Sequence, residues 1–293
     1  MAPRDLLVLL ICCCAWAGNF VLIAWAAGTE GVPPLMLAAV RALIVLVVMS
    51  PFLFRPRPEL FGRMMLVAVF IGPLHLACLY TGLSMTSASG GAIVSQMLIP
   101  MSTILAVLFL GERLGWRRMT AIAVAFLGTM IILYEPGGLG LDVGLLVILV
   151  AYLWIAIGSV IMRTLGDLDW RIYVAWTAVL VFAAMTAGSL AFETDHAAQA
   201  RELWFPLAVS AVYAALAVSI FAHGQYFRLL TRYPVSVVVP VTLLVPVLTV
   251  AIGVGLLGER LSWPIAVGAA LILPSVYVIA RRDGPRAEVA DHD

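Results

Sequence analysis

Ten mostly apolar stretches dominate the chain, near 6–27, 34–54, 62–83, 90–110, 116–134, 143–163, 170–192, 203–230, 235–257 and 263–281. A helix needs about 20 such residues to cross a hydrocarbon core. In lipid, only helices and closed barrels satisfy every backbone N–H and C=O, and these runs are too long for barrel strands. The expectation is an all-α integral membrane protein with ten transmembrane helices. Composition agrees, with 63% hydrophobic and 11% charged residues. A soluble domain carries roughly 25% charged residues to cover its surface. Arg4 followed by an apolar run and Ala15-Trp16-Ala17 imitates a signal peptide. The run continues to Ala27, however, which is long enough to span.

Orientation is read from arginine placement, because all 17 basic residues are Arg. With the N-terminus in the cytoplasm, the inner segments hold Arg4, Arg55, Arg57, Arg63, Arg113, Arg117, Arg118, Arg163, Arg171, Arg228, Arg232, Arg281, Arg282 and Arg286, and the outer ones Arg201 and Arg260. That is 14 against 2, with Arg41 inside a helix. The asymmetry predicts a multi-pass protein of the plasma membrane, the inner membrane of a bacterium, with both termini cytoplasmic.

The chain is also doubled. Leu110-Gly111-Glu112-Arg113-Leu114 precedes Trp116, and Leu257-Gly258-Glu259-Arg260-Leu261 precedes Trp263. Glu112 lies 12 positions after Pro100 and Glu259 lies 13 after Pro246, while Tyr80 and Tyr226 each stand 20 before their proline. Self-similarity over half a chain marks two copies of one supersecondary unit. The expected division is 1–140 for helices 1–5, 141–281 for helices 6–10, and 282–293 as a polar cytoplasmic tail. Each copy has five crossings, so the second enters from the opposite side as an inverted repeat. Two such halves have similar inward-open and outward-open arrangements, the basis of alternating access.

Further residues mark the first half: Trp16-Ala17-Gly18-Asn19-Phe20 early, Arg41 in the second helix, with no counterpart in the seventh, and Ala88-Ser89 before the helix that carries Pro100. In these features the chain resembles the EamA family of the drug/metabolite transporter superfamily over roughly 6–281, and is most similar there to exporters of aromatic and other neutral amino acids. The resemblance implies a ten-helix carrier with a central cavity between the repeats.

Polar groups inside apolar helices are costly and face a cavity or another helix. No Asp or Glu lies in mid-helix. That argues against proton-for-cation exchange on a buried carboxylate and for a neutral or zwitterionic substrate. Trp16 and Trp154 occupy corresponding places, and Asn19 shares a face with Trp16. An indole beside an amide suits a ligand with an apolar body and a polar end, and it equally suits plain helix packing. Pro100 and Pro246 cannot donate to the carbonyls of Gln96 and Thr242. The result is either a polar notch beside Gln96 or a packing kink. Gly90 with Gly91 offers a hinge. His75 and His223 are proton sites or structural donors. His75 and Tyr80 stand about 140° apart and cannot both face a cavity, whereas His223, Tyr226 and Ser219 share a face. Arg41 either attracts a substrate carboxylate or clamps carbonyls at the kinks. Glu112 and Glu259 either seat beside the start of the following helix or form gating ion pairs. Ala121/Ala125 and Ala266/Ala270 form small-residue faces for scaffold packing or dimer contact.

The candidate substrate-binding set is therefore Trp16, Asn19, His75, Tyr80, Gln96, Trp154, His223 and Tyr226, with Gly90, Pro100 and Pro246 as gating positions and Arg41 as structural or carboxylate-attracting. Cys12, Cys13, Cys14 and Cys78 lie in apolar runs without metal-site spacing, so no metal or cofactor is expected. The partners expected are the bilayer and a small molecule such as an amino acid, not nucleic acid, with the chain a monomer or weak homodimer. The function expected is secondary export, not enzymatic. The alternatives are a nucleotide-sugar or multidrug-type carrier, and, in a different class, a polytopic enzyme acting on lipid-linked substrates. The last would need a nucleophile with a base or a carboxylate cluster, and neither is present in the sequence.

Overall fold

A computed structural model describes residues 1–111, 114–134, 141–166, 168–233 and 235–280. Glu112, Arg113 and the tail from 282 onward lie outside the described residues. Among the described residues ten helices are long and apolar enough to cross a membrane: α1 Pro3–Thr29, α2 Pro34–Phe54, α3 Phe61–Leu83, α4 Ala88–Leu110, α5 Trp116–Leu133, α6 Val143–Met162, α7 Trp170–Phe192, α8 Trp204–Arg232, α9 Val237–Leu257 and α10 Trp263–Ala280. A seven-residue helix, His196–Glu202, lies in the α7–α8 connection, where the sequence suggests only a link. The outward faces carry large apolar side chains such as Leu108, Phe109, Phe192 and Leu256. In water such a surface would be an association patch; in a bilayer it meets acyl chains.

Several helices depart from α geometry at identifiable residues. Pro73 sits in a π-helical turn, Phe70–Leu74, a widened turn around the missing N–H. Longer π-helical stretches occupy Ala24–Thr29 and Tyr213–Ala222. Ahead of Pro100, α4 tightens into a 3₁₀ turn, Ser95–Met97. Met97 has φ −63°, ψ −13° and Leu243, three residues before Pro246, has φ −63°, ψ −14°. The two proline-bearing helices thus break in the same way at the same position. Gly111 (φ 68°) and Gly258 (φ 65°) end them in the left-handed conformation, which glycine adopts without a Cβ penalty.

Connections alternate between two ends. At one end, Asp5 of α1 accepts from Tyr233 at 2.8 Å and meets Arg228 at 3.4 Å, and Arg55 meets Asp169 at 3.3 Å. At the other, Thr86 donates to Asp142 at 2.7 Å and Glu193 caps α2. The first end carries most of the arginines; Arg201 and Arg260 lie at the second.

Helix partnerships come in matched sets. α2 packs on α7 and α5 on α10; α3–α6 has its counterpart in α8–α1, and α1–α9 in α6–α4. Exchanging the first five helices for the last five leaves this pattern unchanged. Close approach depends on glycine. A Cβ at Gly82 would stand 2.8 Å from the Gly144 carbonyl oxygen, and one at Gly144 2.9 Å from that of Gly82, so α3 and α6 touch backbone to backbone. The α5–α10 contact runs through Gly128 and Gly268. Ala121 and Ala125 are buried as expected, but Ala266 and Ala270 are exposed, because α10 turns its Gly268/Ile272 face to α5.

Candidate functional site

Among the described residues, eight helices enclose a central cavity of about 560 Å³, and α5 and α10 contribute no lining residue. The wall extends to Met162, the last residue of α6, and to Val239 near the start of α9, so the cavity reaches toward the arginine-rich end.

On α1, Trp16 and Asn19 both line the cavity, as their shared face requires. The Trp16 ring lies 5.3 Å from Tyr226 in an edge-to-face contact and 5.7 Å from His223. The Trp16 Nε1 and Asn19 Oδ1 atoms are buried without a hydrogen-bond partner. Unpaired buried polar atoms cost about 1–3 kcal/mol each.

Arg41 is buried in the wall. Its Nη1 donates to the Tyr80 hydroxyl at 3.1 Å, and its Nε and Nη2 donate to Ser219 Oγ at 3.1 and 2.9 Å. Ser219 in turn donates to the Ala214 carbonyl at 2.8 Å. The expected clamp on kink carbonyls thus takes another form, in which two hydroxyls receive the guanidinium and the π-helical stretch of α8 presents one of them. Among the described residues no carboxylate pairs with Arg41.

His75 donates from Nδ1 to the Ala151 carbonyl at 3.0 Å, and His223 from Nδ1 to that of Val218 at 2.9 Å. A carbonyl oxygen only accepts, so each Nδ1 carries a proton and each Nε2 is left to serve the cavity. Gln96 and Thr242, each four residues before its proline, both line the wall. Thr242 was missed as a side chain in the sequence reading, although its match to Gln96 across the repeat was the available signal.

Two of the eight candidate residues are off the wall. Tyr80 is fully buried and spent on Arg41, so the repeat-matched tyrosines differ in role, Tyr226 at the cavity and Tyr80 beneath the cation. Trp154 packs against Phe70 at 5.8 Å. Pro100 and Pro246 are buried and do not line the cavity; they shape the helices that carry Gln96 and Thr242. Gly90 lies in the first turn of α4, its N–H donated to Ser87 at 3.1 Å, with Leu145 of α6 packed against it.

The end of the bundle away from the arginines is held by two carboxylates, Glu259, which was expected to act at a helix start or in an ion pair, and Glu193, which was not anticipated. Glu259 accepts from the backbone N–H groups of Ala88 (2.7 Å) and Ser89 (3.1 Å) at the start of α4, not from the start of the following helix. Glu193 accepts from Leu35 (2.8 Å) and Met36 (2.9 Å) at the start of α2. Both neutralise positive helix starts.

The model of the EamA-like transporter family matches residues 4–134 and 142–281. The chain belongs to the EamA-like transporter family. Two curated relatives, from Salmonella typhimurium (strain LT2) and Escherichia coli (strain K12), each bear the name "Probable amino-acid metabolite efflux pump". They are 27% identical over 288 and 291 residues, and each alignment covers 95% of both chains. A solved crystal structure aligns over 95% of this chain and 96% of its own with a TM-score of 0.60 at 17% identity, a likeness of fold. As a family member the chain is a multi-pass membrane transporter.

Proposed function

We propose that this transporter is a secondary carrier that exports small amino acids and related metabolites by alternating access through the central cavity. The observation that carries the reading is Arg41, a buried cation with no carboxylate partner among the described residues, in a wall otherwise built of aromatic and small polar side chains. A substrate carboxylate completes that site, and its apolar body lies against Trp16, Tyr226 and Phe227. The names of the two relatives support an amino-acid metabolite as cargo. Among the described residues no Asp or Glu lines the cavity, which disfavours a carrier of cationic drugs.

The two halves, 1–140 and 141–281, act as an inverted repeat in this reading. Its support is the matched helix partnerships and the opposite ends at which Asp5 and Asp142 start α1 and α6. The membrane is the bacterial inner membrane, with the arginine-rich end cytoplasmic. The conformation then opens inward, with Glu193 and Glu259 closing the outer end. The test is uptake into liposomes of labelled phenylalanine, threonine and a cationic dye, with and without a pH gradient. Amino-acid uptake above protein-free liposomes is expected; uptake of the dye alone overturns the proposal.

A further inference from the structure

The cavity's charge and hydrogen-bonding inventory goes beyond the general class of amino-acid metabolite. Among the described residues its wall holds one fixed charge, the Arg41 guanidinium, and no Asp or Glu. A guanidinium has five N–H donors. Three are engaged by Ser219 and Tyr80, leaving one N–H on each terminal nitrogen, enough for both oxygens of a carboxylate. A bound monoanion brings the site to neutrality. A zwitterion leaves it net positive and places an ammonium in a low-dielectric cavity beside a fixed cation.

Trp16 Nε1 and Asn19 Oδ1 are buried without a partner and without accessible surface, so neither is open to the cavity. What the cavity offers beside Arg41 is uncharged, including the Tyr226 and Phe227 rings and the Ser95, Gln96 and Thr242 side chains.

We infer that the preferred cargo is a carboxylate whose amino group carries no charge, as in an N-acylated amino acid with an apolar side chain, its carboxylate on Arg41. A carboxylate is required and a free ammonium is not. The inference rests on the carrier reading above and narrows its substrate from the zwitterion to the monoanion.

The test uses the purified full chain in proteoliposomes with three labelled compounds at equal, subsaturating concentration: N-acetyl-L-phenylalanine, L-phenylalanine and L-phenylalaninamide. Protein-free liposomes supply the passive rate. N-acetyl-L-phenylalanine is expected to enter at least tenfold faster than L-phenylalanine, and the amide at the passive rate. Asn19→Asp, which adds an anion at a residue of the wall, is expected to reverse the order. Phenylalanine or the amide moving as fast as the N-acetyl compound overturns the inference and leaves the carrier reading standing. If nothing moves, thermal protection of the detergent-solubilised protein by each compound separates the two. Protection by N-acetyl-L-phenylalanine alone supports the inference and removes the carrier reading, whereas protection by none overturns both.

Discussion

Ser89 gives Glu259 both its backbone N–H, at 3.1 Å, and its hydroxyl, although 170 positions separate them in the chain. The carboxylate reaches Ser89 because Gly258 turns left-handed and the Glu259 N–H bonds back to Gly253, which folds the end of α9 over the start of α4. One half therefore caps a helix of the other. Glu193 repeats the arrangement on α2, braced by Ser189 at 2.6 Å.

Removing this cap has a defined cost. Glu259→Ala leaves the N–H groups of Ala88 and Ser89 without their acceptor, a loss of about 1–2 kcal/mol. Thermal unfolding in detergent is expected to show a lower midpoint for Glu259→Ala, and a smaller drop for Glu259→Gln, which keeps one oxygen acceptor.

Charge alone does not explain Arg41. Lysine keeps the charge but cannot fork onto Ser219 while also reaching Tyr80. Arg41→Lys is expected to lower substrate transport at least tenfold, equivalent to about 1.4 kcal/mol. Arg41→Gln is expected to lower it further, since the carboxylate then loses its counter-ion. Initial rates in proteoliposomes, normalised to reconstituted protein, give both numbers.

The α3–α6 seam separates packing from function. Gly144→Val sets side-chain carbons against the Gly82 carbonyl oxygen and the Met85 backbone, where a Cβ already stands at 2.9 and 3.1 Å. Overpacking of this kind costs about 1–3 kcal/mol. Gly62, with nothing within 4 Å of its Cβ position, is the control. Gel-filtration yield is expected to fall for Gly144→Val and stay unchanged for Gly62→Ala.

The spans were legible because each is set by one quantity, apolar length, and their bounds fall within a few residues of those read from sequence. The cavity was half legible. Trp16 with Asn19, and His223 with Tyr226, follow from helical spacing alone. The Arg41–Ser219 bond joins residues 178 positions apart through a π-helical stretch that no local pattern announces. Glu259 was assigned to the following helix and Glu193 to no helix at all, because capping a distant helix leaves no trace in sequence spacing. Tyr80 had a matched partner in Tyr226, but Arg41 has no counterpart, and that single asymmetry drew Tyr80 away from the wall.

Orientation has its own check. Single cysteines at Arg57 and Arg201, in a background without the native cysteines, are expected to label differently in intact cells. A membrane-impermeant maleimide should reach position 201 and not 57. Equal labelling would contradict the assignment of ends.

The central claim is that the end held by Glu259 must open for cargo to leave. Cysteines at Met85 and Arg260, both exposed there, can be tethered by a short bis-maleimide that leaves the cap residues intact. Exchange of labelled amino acid across proteoliposomes is expected to fall at least tenfold on tethering, while each single-cysteine protein treated alike keeps its rate. Full exchange with the two positions tethered would contradict the account.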